Sequence, residues 1–96
     1  MTIETTKWDA SEFLTDEEAI AAYVEAAFED GNPAVITHAL GNVARARGMT
    51  TIAKEAGVTR EALYKSLSEK GDPKLSTLMK VMKALGLKLS VHHDAA

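Results

Sequence analysis

The stretch from residue 49 to residue 67, MTTIAKEAGVTREALYKSL, most constrains what this 96-residue chain can fold into. Its apolar residues follow two short helical patterns. The positions that face inward are Ile52, Ala53, Ala56, Leu63 and Leu67. Thr50 is a candidate cap of the first helix, and the second helix starts at Thr59. Gly57 stands where the first helix must end in a left-handed backbone, and apolar Val58 follows it. The stretch therefore predicts two helices joined by a tight turn, the helix-turn-helix arrangement.

Two longer helices are expected before this stretch. The first runs from about Asp16 to Glu29, because Thr15 and Glu18 form a capping box and Gly31 is a stop signal. Its expected apolar face is Ile20, Tyr23, Val24, Ala27 and Phe28. The second runs over residues 34–47, after an Asn-Pro pair that suits a cap and a first helical position. Its expected buried stripe is Val35, Ile36, Ala39, Leu40 and Val43.

A fifth helix and a strand are expected after the central stretch. The helix runs from about Leu75 to Ala84 and ends at Gly86. Its expected apolar face is Leu75, Leu78, Met79, Met82 and Leu85. Residues 87–92 then alternate between apolar and polar, which is the pattern of a strand. A lone strand needs a pairing partner, so we expect a second copy of the chain to supply it. The dimerisation residues are then Leu87, Leu89 and Val91.

Charge divides the chain into two parts. Residues 1–44 carry one lysine and nine acidic residues, a net charge of −8, whereas residues 45–88 carry ten basic and four acidic residues, a net charge of +6. The basic half can meet phosphates, and the acidic half either attracts a basic partner or simply keeps the chain in solution. We expect an acidic N-terminal extension and helix over residues 1–31 and a second unit over residues 32–96. Trp8, Phe13 and Leu14 either fold back onto the body or contact a partner.

The central and C-terminal residues resemble the lambda-repressor and Cro-like family. The matching positions are Ala53, Gly57, Val58, Thr59, Leu63, Leu67, Pro73, Leu78, Val81, Leu85 and Gly86. Within that family, the run GMTTIAKEAGVTREALYKSLSEKGDPKLSTLMKVMKALGLKLSV, residues 48–91, is most similar to the antidote proteins of addiction modules, of the HigA-like kind. The resemblance implies a mostly α fold: a five-helix lambda-repressor-like (Xre-type) helix-turn-helix domain, with an N-terminal helical extension and a short C-terminal β-strand.

The resemblance also implies a function. Such an antidote, or antitoxin, neutralises a small basic ribonuclease toxin of the RelE/ParE-like (HigB-like) kind. As a homodimer, it represses its own operon by binding palindromic operator double-stranded DNA. Two alternatives are a freestanding phage-type transcriptional regulator without a toxin, and an interaction module that no longer binds DNA. A neighbouring reading frame for a small basic protein would separate the first alternative from an antitoxin.

The same resemblance assigns candidate DNA-binding residues. Those that match the residues of the family that enter the major groove are Thr59, Arg60, Glu61, Ala62 and Lys65. Arg60 can fork onto guanine, and Lys65 can reach guanine or a phosphate. Glu61 can accept from cytosine or pair with Lys65, four residues later. Thr51, Thr59 and Tyr64 suit contacts with phosphate or sugar. Candidates for sequence-independent backbone contacts are Lys54, Lys70 and Lys74.

Other classes of function find little support in the sequence. The chain has no cysteine and no Gly-rich phosphate loop, and its only adjacent histidines, His92 and His93, point to opposite faces of the expected strand. We therefore expect no enzyme, no metal site and no cofactor. His38 lacks a partner at ligand spacing. No segment reaches membrane-spanning length, and the N-terminus lacks an apolar signal core, so we expect a cytoplasmic protein.

Overall fold

A computed structural model of the chain describes residues 16–68 and 70–94. They form five helices, which are α1 (Glu17–Asp30), α2 (Pro33–Arg47), α3 (Met49–Ala56), α4 (Arg60–Ser66) and α5 (Leu75–Ala84). The predicted mostly helical architecture is confirmed. Residues 87–94 form no strand in the single chain. The predicted strand requires a second copy, so it stays a prediction. Trp8, Phe13 and Leu14 lie outside the described residues.

The ends of the first two helices follow local chemistry. Pro33 occupies the first turn of α2, and the Asn32 side chain accepts a hydrogen bond from the Ala34 N–H at 2.9 Å, as predicted. At α1 the N-cap is Asp16, because its carbonyl accepts the first helical hydrogen bond, from the Ile20 N–H at 2.9 Å. The predicted capping box therefore starts one residue too early. Its Thr15 lies outside the described residues.

The start of α3 also differs from the prediction. Gly48 is both the C-cap of α2 and the N-cap of α3, with φ of +106°. Its carbonyl accepts from the Ile52 N–H at 3.0 Å, so Thr50 lies inside the first turn and is not the cap. A single glycine thus replaces a separate loop between the two helices, which brings α3 directly against the end of α2.

The core forms where α2 and α3 meet the other helices. Helix α2 packs on α1 and α3, and α3 in turn packs on α4 and α5. The largest fully buried side chains come from four of the five helices: Ile20, Leu40, Val43, Leu63 and Val81. Helix α3 has only eight residues but contacts three helices. Its neighbours can come this close because its buried residues include the small Ala53 and Ala56.

Three residues of the predicted apolar stripes are exposed instead of buried. Val35 is 38% exposed, Met79 is 53% exposed and Leu75 is 68% exposed. On α5 the buried face is centred on Val81 and Leu85. The helical repeat therefore turns Leu75 and Met79 toward solvent, whereas Leu78 is half-buried against the core. On α2, the polar Thr37 is buried in place of Val35, and its hydroxyl donates to the Ala34 carbonyl at 3.1 Å.

Two contacts fix α2 relative to its neighbours. The Asn42 amide donates to the Tyr23 hydroxyl at 2.8 Å, which joins α2 to α1, and Arg45 donates to the same amide's oxygen. On another side of α2, Gly41 lies so close to the end of α4 that an added Cβ would stand 2.9 Å from the carbonyl oxygen of Leu67. Helix α2 therefore has a glycine at this position because a backbone group occupies the space of a side chain.

We predict that Gly41→Ala destabilises the fold by about 1–3 kcal/mol, since the new methyl group must displace backbone. The same change at an uncrowded helix position stabilises by about 0.5–1 kcal/mol, because alanine loses less backbone entropy. Urea unfolding followed by circular dichroism measures the free energy of unfolding. A variant as stable as the parent, or more stable, would contradict the close approach of α2 to Leu67.

Candidate nucleic-acid interface

The turn between α3 and α4 is closed by backbone hydrogen bonds. Gly57 has a left-handed backbone with φ of +74°, and the Val58 N–H donates to the Ala53 carbonyl at 3.0 Å. This is a glycine-type helix end, and only two residues, Gly57 and Val58, separate the last residue of α3 from the N-cap of α4. Val58 is half-buried against the core. The turn therefore sets the direction in which α4 leaves α3.

Helix α4 is held by its cap and by two buried leucines. The Thr59 hydroxyl oxygen accepts from the Ala62 N–H at 3.0 Å, and the backbone of Thr59 is extended, as an N-cap requires. Leu63 is fully buried and Leu67 is 3% exposed. The predicted start of this helix at Thr59 and the predicted inward leucines are confirmed. With this face buried, the remaining side chains of α4 point to solvent.

The residues predicted to bind DNA are all exposed. They are Thr51, Thr59, Arg60, Glu61, Ala62, Tyr64 and Lys65. Six of them stand on α4 or its cap, whereas Thr51 stands on α3. The structure therefore places the six on one short element, and their exposure satisfies one requirement of a surface that reads a nucleic acid.

Arg60 and Tyr64 form a pair that the sequence reasoning missed. The guanidinium carbon of Arg60 lies 5.4 Å from the centre of the Tyr64 ring, and its Nη2 donates to the Tyr64 hydroxyl at 3.4 Å. This hydrogen bond raises the pKa of Arg60, with a smaller contribution from Glu61. The spacing of four residues on a helix could have indicated the contact. The pair holds the cation along the outer surface of α4.

Charge on the surface follows the helices. Every charged residue of α1 is acidic, and the last turn of α2 carries Arg45 and Arg47. The exposed lysines of the second half are Lys54, Lys65, Lys70, Lys74, Lys80, Lys83 and Lys88. The exposed face of α4 thus belongs to the positively charged part of the molecule, which is the electrostatic requirement for contacts with phosphates.

The three residues predicted to form a dimer differ in exposure. Gly86 ends α5 with φ of +76°, and the Leu87 N–H donates back to the Met82 carbonyl at 2.8 Å. Leu87 is half-buried against the core. Leu89 is 37% exposed and Val91 is 97% exposed. The last two therefore expose more of their apolar surface than Leu87 does.

Two further features, a metal-binding cluster and a membrane-spanning helix, are absent from residues 16–68 and 70–94. In this part of the chain, no three histidine, aspartate or glutamate side chains come together as a metal site would require. Its longest helix, α2, has 15 residues, and none of its helices has both the length and the apolar character needed to cross a membrane.

The fold and this surface define a class of protein: a small helical protein that exposes the charged face of one short helix, α4. The chain belongs to the family of probable addiction module antidote proteins, whose family model matches residues 4–93. An uncharacterized protein of Haemophilus influenzae (strain ATCC 51907 / DSM 11121 / KW20 / Rd) is 47% identical over 94 residues, which cover 98% of this chain and 97% of that protein. No solved structure matches the chain.

Membership in an antidote family has two direct consequences. An antidote acts on a toxin, so a toxin partner is implied, and the prediction of an antitoxin of an addiction module is confirmed at that level. The family is not enzymatic, which confirms the prediction that the chain is not an enzyme.

We predict that Thr59→Ala lowers the free energy of unfolding by about 0.5–2 kcal/mol, because the Ala62 N–H loses its acceptor. Thr59→Ser keeps the hydroxyl and should restore most of the loss. Thr51→Ala is the matched control, since Thr51 is an exposed threonine that caps no helix. Thermal unfolding compares the three variants. Equal losses for Thr59→Ala and Thr51→Ala would mean that the cap contributes nothing.

Proposed function

We propose that the chain is a HigA-like antitoxin of a type II toxin–antitoxin module that acts in the cytoplasm. It neutralises a small basic toxin of the RelE/ParE-like (HigB-like) kind, and it represses its own operon. The observation that carries the DNA-binding part is the exposure of six candidate residues on one short helix and its N-cap, while the other face of that helix is buried in the core. The family match favours an antitoxin over a freestanding regulator.

In the proposed mode of binding, α3 and α4 act as a lambda-repressor-like (Xre-type) helix-turn-helix. Helix α4 enters the major groove, where Arg60 forks onto the O6 and N7 atoms of a guanine. To do so, its guanidinium leaves Tyr64, a contact that is long and exposed and therefore weak. The freed Tyr64 hydroxyl then suits a phosphate. Lys65 reaches the next guanine or a phosphate, and Glu61 accepts from cytosine.

The remaining candidates position the protein on DNA. The Thr59 oxygen already accepts from the backbone, so its hydroxyl hydrogen is available to donate to a phosphate oxygen. Lys54, Lys70 and Lys74 are exposed and add contacts that do not depend on sequence. Such contacts release counterions, and binding should therefore weaken steeply with salt.

A palindromic operator requires two linked copies of α4, and we propose that the C-terminal residues link them. Leu89 and Val91 expose apolar surface, and the backbone of residues 87–92 is free of helix and strand in the single chain. Antiparallel pairing of two such segments satisfies their backbone groups and covers the apolar side chains. Leu87 anchors the segment to the core at its start.

Arg60→Ala and Lys65→Ala should each weaken operator binding, by about 1–3 kcal/mol where the lost contact is with a base. Lys80→Ala is the control, since it removes one exposed positive charge from α5, outside the DNA-binding candidates and the dimer segment. Fluorescence anisotropy with the upstream DNA at fixed salt gives the affinities, and circular dichroism checks the fold. Parent-like binding by both variants would place the DNA-binding surface elsewhere.

Leu89→Pro should convert the dimer to a monomer, since proline removes a backbone donor and the change also removes an apolar side chain. Analytical ultracentrifugation measures the mass, and operator binding should weaken because two half-site contacts are no longer linked. The control cannot be a proline at the exposed Leu75, because Leu75 belongs to α5 and proline would disturb that helix. Leu75→Ala changes an exposed leucine elsewhere and should leave the mass unchanged. A fully dimeric Leu89→Pro variant would mean that another surface holds the pair.

A further inference from the structure

A groove of about 320 Å³ lies between α1 and residues 87–92. Its floor is apolar: Val24 and Met82 are buried at its base, and the half-buried Phe28 and Leu87 stand beside them. Because the turn after α5 directs the chain back toward α1, the groove joins elements that are far apart in the sequence. None of the DNA-binding candidates lines it.

The α1 side of the groove carries negative charge. Glu25 and Glu29 line it, both are exposed, and a spacing of four residues places them on one side of the helix. Residues 16–44 contain six acidic residues and no lysine or arginine. A cation placed on this side would therefore meet two carboxylates and no positive side chain of α1. Lys88 also lines the groove, but it belongs to the opposite wall, in residues 87–92.

We propose that this groove is the docking site for the toxin, and that it receives a segment with a lysine or arginine beside a large apolar side chain. The apolar side chain fills the floor at Phe28, and the cation pairs with Glu25 and Glu29. This inference rests on the proposed antitoxin function and assigns its toxin-binding surface.

The chemistry of the groove argues against two other occupants. Nucleic acid is disfavoured, because the carboxylates of α1 repel phosphates. A second copy related by a twofold axis would bring its own α1 carboxylates against those of the first, and like charges across an interface are unfavourable. A basic toxin satisfies both the charge and the apolar floor.

A chemical protection experiment tests the location directly. The chain has no cysteine, so Ala21→Cys introduces a single thiol at the groove, and Ala22→Cys introduces one on the same helix outside it. Both alanines are exposed. Each variant is co-expressed with the product of the adjacent reading frame, and the rate of alkylation by N-ethylmaleimide is measured by mass spectrometry. In the complex, the Ala21→Cys thiol should react at least about tenfold more slowly than in the free chain, and the Ala22→Cys thiol should change far less.

A charge-reversal pair tests the chemistry. Replacing Glu25 and Glu29 with lysine should weaken capture of the toxin at least about tenfold, since the paired attraction becomes repulsion. Replacing Glu17 and Glu18 with lysine makes the same change in net charge on the same exposed helix and should change the affinity less than about threefold. Circular dichroism and sedimentation confirm that both variants keep the fold and mass of the parent. Isothermal titration with the purified toxin gives the affinities.

The outcomes separate the inference from the proposed function. If the parent captures no product of the adjacent frame, the antitoxin proposal fails and the inference fails with it. If the parent captures it but the groove variants behave like their controls, the function stands and the docking site is overturned. A thiol at position 21 that is already protected in the free chain would show that residues 1–15 or a second copy cover the groove, which also overturns it.

Discussion

The fold depends on the packing of α3, a helix of eight residues that three other helices contact. Its buried side includes the alanines Ala53 and Ala56, and small side chains let the neighbouring backbones come close. The glycine caps at its two ends fix its direction relative to α2 and α4. A larger side chain on this face would move α4, and the exposed residues of α4 would move with it. Stability and the geometry of the candidate DNA-binding surface are therefore set by the same contacts.

Local chemistry made much of the fold predictable. Asn32 with Pro33, and the glycines after α3 and α5, are residues whose backbone preferences define helix ends without reference to the rest of the chain. The inward positions Leu63 and Leu67 followed from helical spacing and are buried. The exposure of the DNA-binding candidates on α4 followed from the same spacing, because one buried face leaves the others outside.

The remaining features depended on tertiary packing and could not be read from the sequence. Leu75 and Met79 fit a helical stripe equally well, but the position of α3 decides which part of that stripe is covered. Gly48 serves two helices at once, so the candidate cap Thr50 was displaced. The groove beside α1 had no local indication, since its walls are separated by more than fifty residues of chain. The predicted pairing of residues 87–92 involves a second copy of the chain, so a single copy does not test it.

The two halves of the molecule carry opposite charge without forming a separate domain each. Helix α1 is acidic, yet its apolar side packs into the same core as the basic helices. The Tyr23 hydroxyl, hydrogen-bonded to Asn42, ties it to α2 at a defined rotation. A rigid attachment of this kind keeps the acidic face turned away from the core, and the proposed toxin-binding and DNA-binding surfaces are then presented by one body.

The segment after Gly86 forms one wall of the groove and is also the proposed dimer contact. Two equilibria that share one segment are thermodynamically coupled, and the coupling free energy acts equally in both directions. A toxin that orders residues 87–92 against α1 would change the dimerisation constant, and dimerisation would change the affinity for toxin by the same factor. Operator occupancy, which depends on the dimer, would then respond to the ratio of toxin to antitoxin rather than to the amount of antitoxin alone.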